Sequence, residues 1–446
     1  MNLPIDFINR MKGLLKDDFD EFLQSYSCMP SRALAVNTNK ISVEEFCNKF
    51  PYKTTPIPYA SEGLYFDSED KLGRSALHHV GAFYLQEPSA MLPVSAANIP
   101  ENAMALDLCA APGGKSIMLA KRLKNGHLIS NEINFSRAKI LYSNIERMGL
   151  KNVAITNNAP KDFTKFNEYF DVILVDAPCS GEGMFRKDEE AVAMWSQSSV
   201  KGCASRQVEI LDCIAGCVKS GGLLIYSTCT FSKEENEDVV EQFLNKYPEY
   251  YLEQPNCVID SFTTDGICMP KCRRAYPHIS GGEGQFFALL RKRCNDFEHT
   301  LCQNRVKVND KNQKNKQVEK NNIVKNFLNS VGIELKTKTE NGKVYSGFPA
   351  DLNGLRVVSD GVHIGDIDGK IFKPSHYFFT AYGLELKNKF DLNEQQVERY
   401  LRGEEFDFDG NNGYYAVTYS GLTLGGGKVS EGRLRNLYPK GLRNFK

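Results

Sequence analysis

The run AMALDLCAAPGGKSIMLAKRLK, residues 103–124, decides the fold. AMALDLCA (103–110) reads as an apolar strand, Pro112-Gly113-Gly114 as a glycine turn, and KSIMLAKRLK (115–124) as a helix stopped by Asn125-Gly126. The same rhythm continues downstream. HLISNEI (127–133) is a second strand, FSRAKILYSNIERM (135–148) a helix stopped by Gly149, and VAITNN (153–158) a third strand. FDVILVDAP (170–178) is a fourth, and its unbroken apolar run suits burial on both faces. A helical region over about 189–219 leads to a fifth strand, GLLIYSTC (222–229). Alternation of this length predicts an α/β fold with a doubly wound parallel sheet. Ligands of such sheets bind beyond the carboxyl ends of the strands. Asp107, Glu132, Asn158, Asp176 and Cys229 fall at those ends.

Upstream, residues 4–26 carry apolar residues at helical spacing. SRALAVNT (31–38) alternates like a strand, Ser42 opens a short helix over SVEEFCNKF (42–50), and TPIPYASEGLYF (55–66) is broken by prolines and a glycine. Residues 1–90 therefore form a small α+β module, and 91–294 the larger sheet domain. Residues 295–322 are polar and rich in Lys, Asn and Gln, too poor in apolar side chains for a core, and read as a linker. Residues 323–446 regain a core, with short strands KVYSGF, LRVVSD and VHIGDI, a helix NEQQVERYLRG and a Gly-rich tail. They form a second α+β module.

The 446 residues are 41% hydrophobic and 25% charged, an ordinary globular composition. Lys+Arg and Asp+Glu tie at 55, so any polyanion site must be a local patch. No apolar run reaches transmembrane length and the start lacks a signal-peptide core, which points to the cytoplasm and away from membranes. Thirteen cysteines scattered from Cys28 to Cys302 read as reduced thiols. None forms the paired short spacings of a zinc site, so no metal is expected. No feature points to a protein partner.

The turn CAAPGGKS carries Cys109 where a P-loop needs glycine, and no G-x-G-x-x-G occurs. What remains is a loop of small residues, Cys109, Ala110, Ala111, Pro112, Gly113 and Gly114, followed by Lys115. Such a loop lets a ligand approach the backbone. Glu132, one strand later, sits where an acid binds ribose hydroxyls, as a nucleoside cofactor requires. Two thiols, Cys179 after Asp176-Ala177-Pro178 and Cys229 after Ser227-Thr228, end neighbouring strands and are expected to face one pocket. Two thiols and a carboxylate beside a nucleoside cofactor suit methylation at carbon 5 of a pyrimidine. A thiolate adding to carbon 6 makes carbon 5 nucleophilic, a carboxyl group steadies ring nitrogen 3, and a second group helps remove the carbon 5 proton. Chemistry alone does not say which sulfur attacks. A zinc deaminase is excluded, because H-x-E is absent and Pro178-Cys179 is followed by Ser180-Gly181.

LDLCAAPGGKS, NEINFSRAKIL, DAPCSGEGMFRK and GGLLIYSTCTFSKEENE resemble successive motifs of the Sun-type RNA (cytosine-5) methyltransferase family. FLQSY, LQEPSAM, PSHYFFTAYG and YPKGLR resemble the flanks of its bacterial RsmF-type ribosomal RNA members. The resemblance implies a Rossmann-like class I S-adenosylmethionine-dependent methyltransferase core between an N-terminal RNA-binding module and a PUA-like C-terminal one. By it, Cys109 to Lys115, Glu132, Asn158 and Asp176 hold S-adenosylmethionine. Cys229 is the nucleophile, Cys179 assists product release, and Asp176 also holds ring nitrogen 3. Asn158 departs from the usual Asp of the third-strand position, with its amide oxygen left as the acceptor for the adenine amine. The sulfur order is the reverse of that in DNA cytosine methyltransferases.

RNA is the implied partner, ribosomal RNA or a small-subunit particle, with transfer RNA or an assembly-factor role as alternatives. The tail 428–446 holds Lys428, Arg433, Arg435, Lys440, Arg443 and Lys446 against the single acid Glu431, with Leu434, Tyr438 and Phe445 interspersed. Lys311, Lys314, Lys316 and Lys320 add charge nearby, and Arg186-Lys187 is placed to meet substrate phosphates.

Overall fold

The computed structural model describes residues 3–67, 71–294 and 314–443. The N-terminal helical stretch is two helices, α1 (Ile5–Leu15) and α2 (Phe19–Ser25), because Lys16 at φ +51 stops the first. Phe7, Met11 and Phe22 still share one side, buried against Phe185, Trp195, Phe231 and Tyr276 of the sheet domain. After β1 (Ala33–Val36), Ser42 caps α3 (Val43–Lys49) in a capping box with Glu45. β2 (Thr54–Ile57), β3 (Ala60–Phe66), α4 (Ala76–His79) and β4 (Phe83–Leu85) follow, and the strands pair antiparallel in the order β2-β3-β1-β4.

The central domain runs α5 (Leu92–Ser95), β5 (Met104–Asp107), α6 (Gly114–Arg122), β6 (His127–Asn131), α7 (Phe135–Met148), β7 (Val153–Thr156) and β8 (Phe170–Asp176). Then come α8 (Glu189–Met194), α9 (Gln197–Ile214) and β9 (Val218–Thr228). The five strands are parallel in the order β9-β8-β5-β6-β7. Alternate residues explain the continuous apolar runs: Val172 and Leu174 pack with Ile117 and Leu141 on one face, Ile173 and Val175 with Ile210 and Leu211 on the other. The expected single helical region 189–219 breaks at Trp195-Ser196, where Ser196 caps α9, and its last residues already belong to β9.

The sheet is also not wholly parallel. After α10 (Glu237–Lys246) and β10 (Tyr250–Leu252), β11 (Thr264–Gly266), β12 (Met269–Ala275), α11 (Pro277–Ser280) and β13 (Gln285–Lys292) extend it beyond β9 by antiparallel pairing. With β16 (Val357–Ser359) from further along the chain, the sheet has ten strands among the described residues, in the order β11-β12-β13-β9-β8-β5-β6-β7-β16 with β10 beside β13.

Residues 295–313 of the polar stretch lie outside the described residues, and its end is helical, within α12 (Lys314–Val331). Next come β14 (Lys338–Glu340), β15 (Lys343–Tyr345), β16 (Val357–Ser359), β17 (His363–Asp368), β18 (Ile371–Pro374) and α13 (His376–Tyr382). LRVVSD, read as part of the C-terminal module, supplies β16, which instead pairs antiparallel with β7 and closes that edge of the central sheet. β19 (Lys389–Leu392), α14 (Glu394–Arg402), β20 (Phe406–Asp407), β21 (Gly413–Tyr419), β22 (Leu422–Ser430) and β23 (Arg433–Asn436) complete the chain. Their sheet shares a core with the N-terminal one, Leu34, Phe46 and Phe83 meeting Tyr400, Leu424 and Leu434. No helix among the described residues is long and apolar enough to cross a membrane.

Candidate active site

The carboxyl ends of β5, β6, β7 and β8 open into one cleft of about 510 Å³, and Cys229, just past β9, lines it too. That volume is in the range of small-molecule sites. At one end the Cys179 and Cys229 sulfurs lie 3.2 Å apart, an approach set by the parallel pairing of Asp176 with Ser227. Contact with Cys229 and burial together push the Cys179 thiol well up. Asp176 accepts from Ser227 Oγ at 2.7 Å and from Lys115 Nζ at 2.9 Å. Lys115 is buried, yet Asp176 and the Cys229 sulfur outweigh desolvation and raise its pKa, so it stays an ammonium between them.

Two buried acids fix both cysteine loops. Glu235 accepts from Ser180 N at 2.9 Å, from the Ser180 hydroxyl, from Thr230 Oγ1 at 3.2 Å and from Gln207 Nε2 at 3.1 Å. Glu182 accepts from Thr230 Oγ1, Phe231 N, Ser232 Oγ and Trp195 Nε1 at 2.7–3.0 Å. Sequence reasoning missed both, although they stand within the GEG and KEENE runs beside the two thiols.

At the opposite end, the Cys109–Gly114 loop turns with Gly113 at φ +119, where a side chain is strained. Ala110 N donates to Asn131 O at 2.8 Å, Arg137 Nη2 to Ala111 O at 2.6 Å and Asn144 Nδ2 to Pro112 O at 2.9 Å. Burial pushes the Cys109 thiol up, so it is a neutral wall of the cleft. Glu132 is 2% exposed, accepts from Asn134 N at 2.8 Å and lies 3.4 Å from Arg137. Asp107 accepts from Ser116 Oγ at 2.6 Å, burial raises its carboxyl to about 7, and its Oδ1 has no hydrogen-bond partner among the described residues. A buried carboxyl oxygen without a partner beneath a glycine turn, and a nearly enclosed acid one strand away, fit a nucleoside with free hydroxyls and a charged amino-acid tail. Arg137 was not foreseen as part of this end.

Two residues singled out in the sequence are engaged by other parts of the chain. Asn158 spends its side chain on Arg356, accepting from its N–H at 3.0 Å and donating to its carbonyl at 3.3 Å. Ala159, Pro160 and Lys161 line the cleft at that strand end, and Asn158 itself does not. Arg186 is not placed for phosphate either: its guanidinium lies 2.8 Å from Glu283 and donates to Ser25 O at 2.8 Å, and Lys187 reaches the same Glu283 at 3.5 Å. In the tail, Lys428, Arg433 and Arg435 face outward from paired strands β22 and β23, whereas Leu434 and Tyr438 are buried. Phe445 and Lys446 lie outside the described residues. Among the described residues no group of three His, Cys, Asp or Glu converges on a metal-sized site.

Comparison with known proteins matches residues 94–291 to the family described as 16S rRNA methyltransferase RsmB/F. Residues 3–88 match the N-terminal domain of 16S rRNA methyltransferase RsmF, and 387–444 the methyltransferase RsmF PUA domain. The chain is 33% identical to ribosomal RNA small subunit methyltransferase F of Klebsiella pneumoniae (strain 342), over 98% of this chain and 96% of that protein. It is 32% identical to the protein of that name from Psychromonas ingrahamii, over 99% and 97%. A solved methyltransferase homologue from Pyrococcus horikoshii is similar with TM-score 0.57 and 27% identity, over 64% of this chain and 93% of that one. NSun6 from the same organism, solved with SFG, shares the fold at TM-score 0.59 and 23% identity, over 66% and 99%.

Proposed function

The chain belongs to the RsmB/F family of 16S rRNA methyltransferases, and from that premise we propose that it methylates carbon 5 of a cytosine in small-subunit ribosomal RNA, with S-adenosylmethionine as methyl donor. The observation that carries this reading is the contact of two thiols, 3.2 Å apart, beside a carboxylate in the cofactor cleft. S-adenosylmethionine supplies an electrophilic methyl group on a positively charged sulfur. Glu132 accepts its ribose hydroxyls, and the Cys109–Lys115 loop admits its amino-acid end. Cys229 attacks carbon 6 of the ring, forming a sulfur–carbon bond and leaving carbon 5 electron-rich for the methyl group. Asp176, held by Ser227 and Lys115, meets ring nitrogen 3, and the proton that Lys115 shares with it moves toward that nitrogen as negative charge builds there. Cys179 acts last. Its own proton shed to solvent once Cys229 is bonded to carbon 6, its thiolate takes the carbon 5 proton as the Cys229–carbon 6 bond breaks, which restores the ring double bond and the Cys229 thiolate.

The pairing of Asp176 with Ser227, which brings Cys229 to the carboxylate, supports Cys229 as the attacking sulfur. The ammonium of Lys115 supports it too, placing positive charge beside that sulfur. The outward-facing Lys428, Arg433 and Arg435 suit contact with the RNA backbone.

The test uses wild type, Cys179→Ala and Cys229→Ala, each with S-adenosylmethionine and either deproteinised ribosomal RNA or small subunits, on a denaturing gel. An RNA-shifted band in Cys179→Ala that disappears in Cys229→Ala is expected. A band only when Cys229 is replaced would reverse the sulfur roles. Methylation at full rate by Cys229→Ala would overturn the covalent route.

A further inference from the structure

Three asparagines tie together the strand ends beneath the cofactor end of the cleft. Asn131 donates to Leu108 O and Asn158 O, both at 3.0 Å, and accepts from Thr156 Oγ1 at 2.9 Å and Asn158 N at 3.0 Å. Asn157 donates from its side chain to Glu132 O at 2.7 Å and Ile133 O at 2.8 Å, and from its backbone to Arg356 O at 2.9 Å. Asn158 then treats Arg356 as a strand partner would, accepting its N–H and donating to its carbonyl. All three asparagines are buried. Asn131 and Asn158 each use both the donor and the acceptor of the amide, and Asn157 uses its amide nitrogen twice.

Arg356 comes from the C-terminal part of the chain, immediately before β16. Its guanidinium also lies 4.7 Å from the ring centre of Phe135, the first residue of α7. The loops so pinned carry Glu132, Ile133 and Ala159, which line the cleft. We propose that Asn158 is a positioning residue, and that through it the segment beginning β16 sets the loops that grip the nucleoside cofactor. The proposal rests on the cofactor reading above. It means that the cofactor site is not complete within the parallel sheet: a residue that touches no ligand fastens the site to a strand supplied from the C-terminal side.

Asn158→Asp keeps the acceptor for the Arg356 N–H but sets a carboxylate oxygen against the Arg356 carbonyl. Arg356→Pro removes that N–H from the other side, on an edge strand where proline is tolerated. S-adenosylhomocysteine binding to the full chain is measured by calorimetry, with hydrogen exchange read along the backbone. In both variants Kd is expected to rise about tenfold, the weight of one hydrogen bond to a strained partner. Exchange should quicken at 131–134 and 355–360 and nowhere else, and KM for S-adenosylmethionine should rise by the same factor while KM for RNA stays put. Wild-type affinity in variants whose 355–360 exchange has quickened would overturn the proposal. Faster exchange throughout the chain would assign Asn158 to global stability and overturn it as well. Failure of the wild-type protein to bind would overturn the cofactor reading and this inference with it.

Discussion

Replacing Glu235 by glutamine should change how stability depends on pH, by an amount the structure sets. Glu235 is fully buried and takes part in four hydrogen bonds that join the Cys179 loop, the Cys229 loop and α9. Burial pushes its carboxyl from 4.5 up to about 7, against the hydrogen bonds from Ser180 and with a further push from Glu182. Between those values the folded protein holds a proton that the unfolded chain has released. Its contribution is therefore fully present below about 4.5 and is lost as pH rises through 7. A shift of ~2.5 units at roughly 1.36 kcal/mol each gives about 3 kcal/mol. Glutamine cannot ionise, and the hydroxyls of Ser180 and Thr230 can turn to accept from its amide. The stability of Glu235→Gln relative to wild type should thus rise by about 3 kcal/mol from pH 4.5 to pH 8. Asp107 and Glu146, also raised to about 7, titrate in both proteins and cancel in the difference. Urea unfolding followed by Trp195 fluorescence reads the right region. It is the chain's single tryptophan and donates to Glu182 at 2.9 Å. Parallel stability–pH curves for the two proteins would refute the reasoning.

Lys115→Met removes the ammonium bonded to Asp176, so the single-turnover methylation rate should fall by about 10²–10³. S-adenosylhomocysteine affinity, measured by calorimetry, should change far less. Arg274 and Glu237 form a buried pair, each 2% exposed. Arg274→Met should therefore cost about 3–5 kcal/mol in urea unfolding, because it strands a buried carboxylate. Adding Glu237→Gln should recover part of that loss.

The parallel core was legible because local pattern and burial agree. Val172 to Val175 are apolar since both faces are covered, and Gly149 marks a helix end by adopting φ +68. The meeting of Cys179 and Cys229 was legible because neighbouring strands carry them to the same sheet edge. What failed depends on partners far away in sequence. MPKCRRA hides β12 behind charges that Glu237, Asp260 and Asp265 neutralise. Arg186 looked free for phosphate until Glu283 was seen to bury it. At Asn158-Ala159, one residue of offset decides which side chain enters the cleft, and the strand that claims Asn158 is nearly two hundred residues downstream (~200, against the 2–6 typical of short connections). The Glu182 and Glu235 anchors lay inside motifs already quoted; their burial, not their identity, was hidden.

The pairing of Thr156 with Val357 has a consequence in time. A ribosome adding 5–20 residues per second needs about 10–40 s to travel from one to the other. Throughout that interval the outer edge of the VAIT strand lacks its neighbour, and a bare apolar edge is a template for pairing with other chains. The nascent protein must complete the rest of its central sheet and wait. A chain released before Val357 would carry both thiols but an open sheet edge beside the cleft.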